Sequence, residues 1–293
     1  MTPANEDWVK QEMKTLRLPD ERLDERTIKI ITDFSQNPTA SIPEFCGDWS
    51  ASRATYGYCQ NRAVSREVIL EAHRQATLGR LEAGGYQRIL AVQDTTEYNF
   101  NHHPATTGLG PLDNPQVKGF FVHSTLAVTE QGLPLGLLAQ QMWVRDEAET
   151  SKEKERPIGK KESFKWLTGL DESSRGMPKG VEVIQVSDRE SDIYEYLVHP
   201  RPANVQLLLR SYQSRSEVDE IRDVRSTLRT SPVRGKVEVE VRRASDRPAR
   251  VATCQLYYKR VKIRPPRQRP GLPPDLKPVK LTAVLIREMN PPD

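Results

Sequence analysis

Two carboxylates stand where apolar stretches of the chain run out. One is Asp94, in "ILAVQDTTEYNF"; the other is Asp188, in "VIQVSDRESDIYEYL". Aspartates at strand ends on one edge of a sheet can converge on a divalent cation. Mg2+ takes a few hard oxygen ligands and keeps positions open for water and phosphate. Two such ions can activate a water and stabilise the leaving oxygen of a phosphodiester. Each residue also has a plain structural reading. Asp188 can be an N-cap, with Glu190 favoured in the first helical turn by the dipole, and Asp94 a turn residue at a strand end. His102 and His103 adjoin in the stretch after Asp94, where neighbours in sequence chelate one ion poorly and a solvated loop is expected. His123, in "VHS", reads as a packing or hydrogen-bonding residue on a core strand.

The elements that must position these residues fall into three regions. With 293 residues, the chain has room for two domains, or one large domain with an insertion. Hydrophobic residues make up 36% and charged residues 29%, enough apolar material for a core under a highly charged surface. The net charge of +4 is only mildly basic, so its distribution matters more than its sum. Cys46, Cys59 and Cys254 are widely spaced, which fits a reduced protein without a zinc site. The start, "MTPANEDWVK", is polar and acidic, unlike a signal peptide, and no apolar run approaches the ~20 residues that span a bilayer. A cytoplasmic protein is expected.

Residues 1–82 read as helical. In "DERLDERTIKIITDFS", Leu23, Thr27, Ile30, Ile31 and Phe34 recur at helical spacing, while Arg22, Arg26 and Lys29 form a basic stripe on the polar side. "SIPEFCG" has a capping-box outline, Ser41 with Glu44, and Gly47 as a stop. "SREVILEAHRQATLGRLEAGG" is a further helix. Over 83–230, "RILAVQD", "GFFVHSTLAVT" and "PLGLLAQQMW" read as strands. The charged stretch "AETSKEKERPIGKKES" is an expected loop before a helix at "SFKWLTGL". "VEVIQVSD", "RESDIYEYL" and "VQLLLRS" then read as strand, helix and strand. This is the pattern of an α/β fold, a mixed sheet with flanking helices. Over 231–293, "GKVEVEVRR", "CQLYYKRVKIR" and "VKLTAVLIRE" are strands, the last two joined by a Pro-rich loop. From Arg242 to Arg269 basic residues heavily outnumber acidic ones, Asp246 being the lone carboxylate.

The blocks "AVQDTTEYNF", "KGFFVHSTLAV", "LLAQQMWVR", "VSDRESDIYEYL" and "LLLRS", in this order, resemble the transposases of bacterial transposon five and its insertion-sequence relatives. These are DDE enzymes with a ribonuclease-H-like catalytic core. The helical N-terminal segment is similar to that family's DNA-binding domain. The resemblance implies a ribonuclease-H-like core over 83–230, a DNA-binding domain over 1–82 and a β-rich insertion over 231–293. It implies that Asp94 and Asp188 hold Mg2+ or Mn2+ for hydrolysis and strand transfer at double-stranded transposon ends. Arg22, Arg26 and Lys29, with Arg189 and Arg210, become candidate contacts to DNA phosphates. Arg210 could instead partner a carboxylate at the sheet edge.

Two departures from the family pattern stand out. "ATYGYCQN" carries Gly57 where the family usually has an arginine, so a DNA contact is lost there. The family's third acid lies in a Y-x-x-R-x-x-x-E helix, which is absent here, and Glu288 belongs to a strand. Against the family the sequence stops inside the insertion, before the C-terminal region used for dimerisation. The expectation is a truncated transposase that binds metal weakly and is catalytically deficient alone. The alternative is a non-catalytic DNA-binding remnant or regulator of transposition.

Overall fold

A computed structural model describes residues 3–146, 157–218, 223–245, 247–267 and 275–292, with side chains from Trp8 onward. Much of the charged stretch after strand "PLGLLAQQMW", Asp246 and part of the Pro-rich connection lie outside these described residues. The chain divides into two compact units: Met1–Ser151 with Glu162–Asp188 and Pro200–Leu209, and Lys152–Lys161 with Arg189–His199 and Arg210–Asp293.

The first unit opens with five helices: α1 (Pro3–Glu12), α2 (Glu21–Gln36), α3 (Ile42–Cys46), α4 (Trp49–Gln60) and α5 (Arg66–Ala83). Their boundaries follow local chemistry. Asp20, Asp48 and Ser65 cap α2, α4 and α5 by accepting from Arg22, Ala51 and Val68 backbone N–H groups. Before α3, the Ser41 backbone N–H donates to Glu44 at 2.7 Å, and Gly47 closes the helix at φ 76°, which favours glycine. Val9, Met13, Leu16, Leu18 and Ala72 are buried together, with Leu23, Ile28, Ile31, Val68 and Ile69 packed around them. This apolar cluster joins α1, α2 and α5.

A six-stranded sheet completes the unit: β1 (Arg88–Asn99), β2 (Gly110–Pro111), β3 (Lys118–Thr129), β4 (Pro134–Trp143), β5 (Glu182–Ser187) and β6 (Val205–Leu209). Its order is β2-β3-β1-β5-β6, with β4 also paired to β3. β3 runs antiparallel to β1 and β4, whereas β5 and β6 run parallel to β1, giving the expected mixed sheet. Alternation sends Ile89, Ala91, Val183 and Val205 to one face, where they bury with Leu81 of α5. α6 (Lys165–Ser174) covers the same face, with Trp166 edge-on to His123.

β4 lies at an edge, and α5 meets its unpaired backbone groups. Arg80 donates to Leu135 O at 2.6 Å, Arg74 to Leu138 O at 3.1 Å, and Leu137 N–H donates to His73 at 2.9 Å. Glu12 of α1 ties this clasp down by accepting from Arg80 and His73. Burial alone would raise the Glu12 carboxyl, but Arg80 and His73 outweigh it and hold the group below its ordinary range.

The second unit contains an antiparallel sheet in the order β7 (Gly235–Val241), β8 (Arg250–Ile263), β9 (Val279–Glu288), together with α7 (Tyr194–Val198) and α8 (Val224–Arg229). The continuous helix read from "RESDIYEYL" is interrupted: a 3-10 turn at Arg189–Ser191 precedes α7. The reason is Asp192. Its buried carboxylate accepts from the backbone N–H groups of Tyr212 and Gln213, both at 2.8 Å, and from Arg215, so residue 192 is anchored to the loop after β6. Glu288 ends β9 and pairs with Arg250.

Close packing of α6 on β1 generates one prediction. A methyl group added at Gly169 would come within 2.5 Å of Gln93 Oε1, in the buried interface. Gly169→Ala is expected to destabilise the fold by about 1–3 kcal/mol in urea unfolding, despite alanine's better helix propensity. An unchanged midpoint would contradict this packing.

Candidate nucleic-acid interface and strand-end carboxylates

Asp94 and Asp188 belong to the same unit and to neighbouring parallel strands. The β1–β5 ladder pairs Arg88 with Glu182 through to Val92 with Val186, each partner 94 places along the chain, as Asp188 is from Asp94. Beyond Val92, β1 continues beside β3 alone as far as Asn99, so Asp94, opposite Ser124, lies inside the strand rather than at the strand end or turn expected from the sequence, because β3 keeps pairing with it after β5 has stopped. Both aspartates are exposed, and each lies just past the last shared rung, at the carboxyl end of its parallel ladder. In open sheets of this kind, the carboxyl ends of strands are where ligands bind. Parallel neighbours lie about 4.8 Å apart, so a shared register brings two hard oxygen donors to one edge. Among the described residues, no three His, Cys, Asp or Glu side chains group as a metal site.

Directly behind this edge, on the covered face, runs a chain of buried polar side chains. Gln93 Nε2 donates to Gln185 Oε1 at 3.0 Å, and Gln185 Nε2 donates to Ser173 Oγ at 2.7 Å. The Gln93 oxygen lies 3.0 Å from His123 Nε2, so that nitrogen carries the proton and donates. Nδ1 is then the acceptor for the Thr95 hydroxyl at 2.9 Å. His123 is 1% exposed, and burial, aided by the Lys165 ammonium, lowers its pKa to about 3. The imidazole is neutral, which suits a structural hydrogen-bonding role on a core strand. Gln93 and Thr95 flank Asp94, and Gln185 is on the strand leading to Asp188.

Arg189 and Arg210 are exposed in the second unit. Arg189 begins the 3-10 turn that follows Asp188, and Arg210 follows the last residue of β6. His102 and His103 lie in the exposed turn after β1, where His103 packs against Phe100.

The helical part places the basic stripe differently from a row of bare charges. Arg22 pairs with Asp20 at 2.7 Å and Lys29 with Asp33 at 2.7 Å, while Arg26 is half-buried. A second face is more open. Trp49, Arg53, Tyr56 and Gln60 are all exposed on α4, spaced four, three and four residues apart, and so share one side of the helix. Trp49 is 79% exposed, an unusual setting for the largest apolar side chain. The opposite side holds α4 in place: Thr55 lies 3.3 Å from Cys46 Sγ of α3, and the Tyr58 hydroxyl lies 2.5 Å from Thr27 of α2. A short helix α3, a glycine turn and a longer α4 with an exposed polar–aromatic face suit insertion into a groove of duplex DNA. The sequence reading passed over Trp49, Arg53 and Tyr56, although their spacing within "WSASRATYGYCQ" was the signal.

Residues 5–64 match the family model for transposase DNA-binding. The segment covers α2, α3 and α4 in full and most of α1. A transposase-family role with DNA as a partner is thereby supported, resting on the helical part. Among the described residues, no helix is long and apolar enough to cross a membrane.

Two predictions arise here. His123 has a pKa far below the 6.5 of an unfolded histidine, so the unfolded chain takes up the proton first. The stability this group contributes is complete above about pH 6.5 and declines as pH falls toward about 3, with a slope up to about 1.4 kcal/mol per unit. His123→Gln should flatten unfolding stability against pH in that window; an identical profile would remove His123 as the cause. Gly57, the second, is exposed on α4, and a Cβ there meets nothing within 4 Å. Gly57→Arg should therefore fold normally, gain about 1 kcal/mol from helix propensity and tighten duplex binding through a cation beside Tyr56. Weaker binding in an anisotropy titration would contradict the assignment of this face.

Proposed function

We propose that this chain is a DDE-type transposase polypeptide that recognises double-stranded transposon ends through its N-terminal helices. The observation that carries the reading is the transposase DNA-binding match at residues 5–64, falling on helices that expose Trp49, Arg53 and Tyr56. Arg53 would meet phosphates or base edges, and Trp49 and Tyr56 would pack on sugars and bases. Arg22 and Lys29 would add phosphate contacts only by exchanging Asp20 and Asp33 for DNA, and the half-buried Arg26 would lie between them on the same helix.

The mixed sheet serves as a ribonuclease-H-like core in this reading. Support comes from three long antiparallel strands, β4, β3 and β1, continued by the parallel β5 and β6, with Asp94 on β1 and Asp188 after β5 both lying just past the shared β1–β5 ladder. Asp94 and Asp188 would hold Mg2+ or Mn2+, which supplies an activated water and charge stabilisation for phosphodiester hydrolysis and strand transfer. Arg189 and Arg210 would contact phosphates of the bound strand. The Thr95–His123–Gln93–Gln185 chain would keep the two aspartates at one level by locking the strands that carry them.

Residues 1–293 contain no Y-x-x-R-x-x-x-E sequence, and two carboxylates make an incomplete cage. This polypeptide by itself is therefore proposed to bind ends without cutting them, which is also what a non-catalytic regulator of transposition would do. The test is a duplex titration paired with a nicking assay in Mg2+ or Mn2+. Trp49→Ala with Arg53→Ala should weaken end binding about 10-fold or more, while Asp94→Ala and Asp188→Ala leave it unchanged. Equal affinity for all duplexes would sink end recognition. Mg2+-dependent cleavage abolished by Asp188→Ala would overturn the proposed deficiency.

A further inference from the structure

The antiparallel sheet of the second unit has two unlike faces along β8 and β9. Tyr257, Val261 and Ile263 of β8 are buried on one side. The side chains between them, Tyr258, Arg260 and Lys262, are exposed or nearly half-exposed on the other. Register completes this second face: Tyr258 lies opposite Val284, Arg260 opposite Thr282, and Lys262 opposite Lys280. Arg234, the residue before β7, holds its guanidinium 5.5 Å from the Tyr258 ring centre.

Three features of this face point to an anionic partner. Neither stretch that builds it, Leu256–Ile263 or Val279–Ile286, contains an acidic residue, so Arg260, Lys262 and Lys280 have no carboxylate on their own strands there. Lys262 and Lys280 occupy directly paired positions, an arrangement of like charges that costs a sheet stability. Apolar surface accompanies the cations: Tyr258 is 47% exposed, and Val284 and Ile286 are each 53% exposed. By contrast, Lys259, on the buried side of the same strand, has Glu217 as a partner. The sheet thus pairs a cation with a carboxylate on one face and, on the other, groups cations on strand stretches that carry no acidic residue.

We infer that the outer face of β8 and β9 is a second DNA-binding surface that grips the phosphodiester backbone of a duplex without reading its sequence. Arg260, Lys262 and Lys280, with Arg234 at the margin, contact phosphates, and Tyr258, Val284 and Ile286 lie against sugars. Alternate residues of a strand are about 6.8 Å apart, the rise of two base pairs, so Arg260 and Lys262 can follow one backbone. The inference deepens the proposed transposase reading and rests on its DNA partner. Recognition is then divided: α4 discriminates ends, and this face adds a salt-sensitive hold.

The test is affinity of the full chain for end and random duplexes across a salt series, with Arg260→Gln, Lys262→Gln and Lys280→Gln singly and combined. Each substitution should lower the slope of log affinity against log salt by about one, equally for both duplexes. End preference should survive. Lys280→Gln should also raise the melting temperature without DNA by about 1–2 °C, because it removes the facing like charge. A triple variant with an unchanged slope overturns the inference while leaving end recognition by the helices intact. A wild-type chain that binds no duplex removes both readings. Unchanged DNA binding with lost binding to a poly-glutamate peptide would assign the face to acidic protein and overturn the inference. A melting temperature that falls together with affinity would mark the cations as structural and overturn it also.

Discussion

Buried polar groups must be paired, and in this protein that constraint is met by one chain of side chains running through the sheet. Thr95, His123, Gln93, Gln185 and Ser173 hand hydrogen bonds from one to the next across β1, β3, β5 and α6. The links must all run in one sense, because a glutamine oxygen cannot donate and a neutral imidazole has one N–H. A slip of one residue in any of these strands would turn its member of the chain to the other face and strand the rest. Apolar packing alone would tolerate several registers of Val, Leu and Ala. The polar chain tolerates one, and Asp94 and Asp188 inherit their common level from it.

The same logic of local neutralisation separates the cations with partners from those without. Arg74 and Arg80 are spent on the backbone of an edge strand, and Arg80 also on Glu12; Arg22 and Lys29 are spent on aspartates. Arg215 is spent on Asp192, whose carboxylate also fastens the loop after β6. Counting arginines in the sequence therefore overstates the positive surface. Exposed cations include Arg53 on α4, and Arg260, Lys262 and Lys280 on the outer β8–β9 face. In both places large apolar or aromatic side chains stay exposed beside them: Trp49 and Tyr56 on α4, and Tyr258, Val284 and Ile286 on the sheet face. Cations interleaved with aromatic and apolar side chains suit a sugar–phosphate backbone better than water does.

Much of this architecture can be read from the chain, and the reasons are local. Alternation in "GKVEVEVRR" and "VKLTAVLIRE" announces half-exposed strands, because a strand's side chains switch faces at every residue. Ser41 with Glu44, and Gly47 after them, mark both ends of α3 because caps and left-handed turns involve residues within a few positions. Asp94 and Asp188 stand out at the ends of apolar runs for the same reason. "RESDIYEYL" has the composition of one helix, and nothing within it reveals that Asp192 will be taken by Tyr212, Gln213 and Arg215 some twenty positions away.

What the sequence by itself determined is therefore the kind of element at each place and its local candidates: strands with carboxylates where their apolar runs end, helices with their caps, and a basic β-rich final region. Tertiary structure decided which of these meet. It set β5 beside β1 in the register that matches Asp188 to Asp94, put the His123 tautomer to structural use, and divided cations between internal partners and open faces. Propensities and caps act over a few bonds, whereas register and charge pairing depend on residues tens to a hundred positions apart, whose meeting only the folded core can enforce.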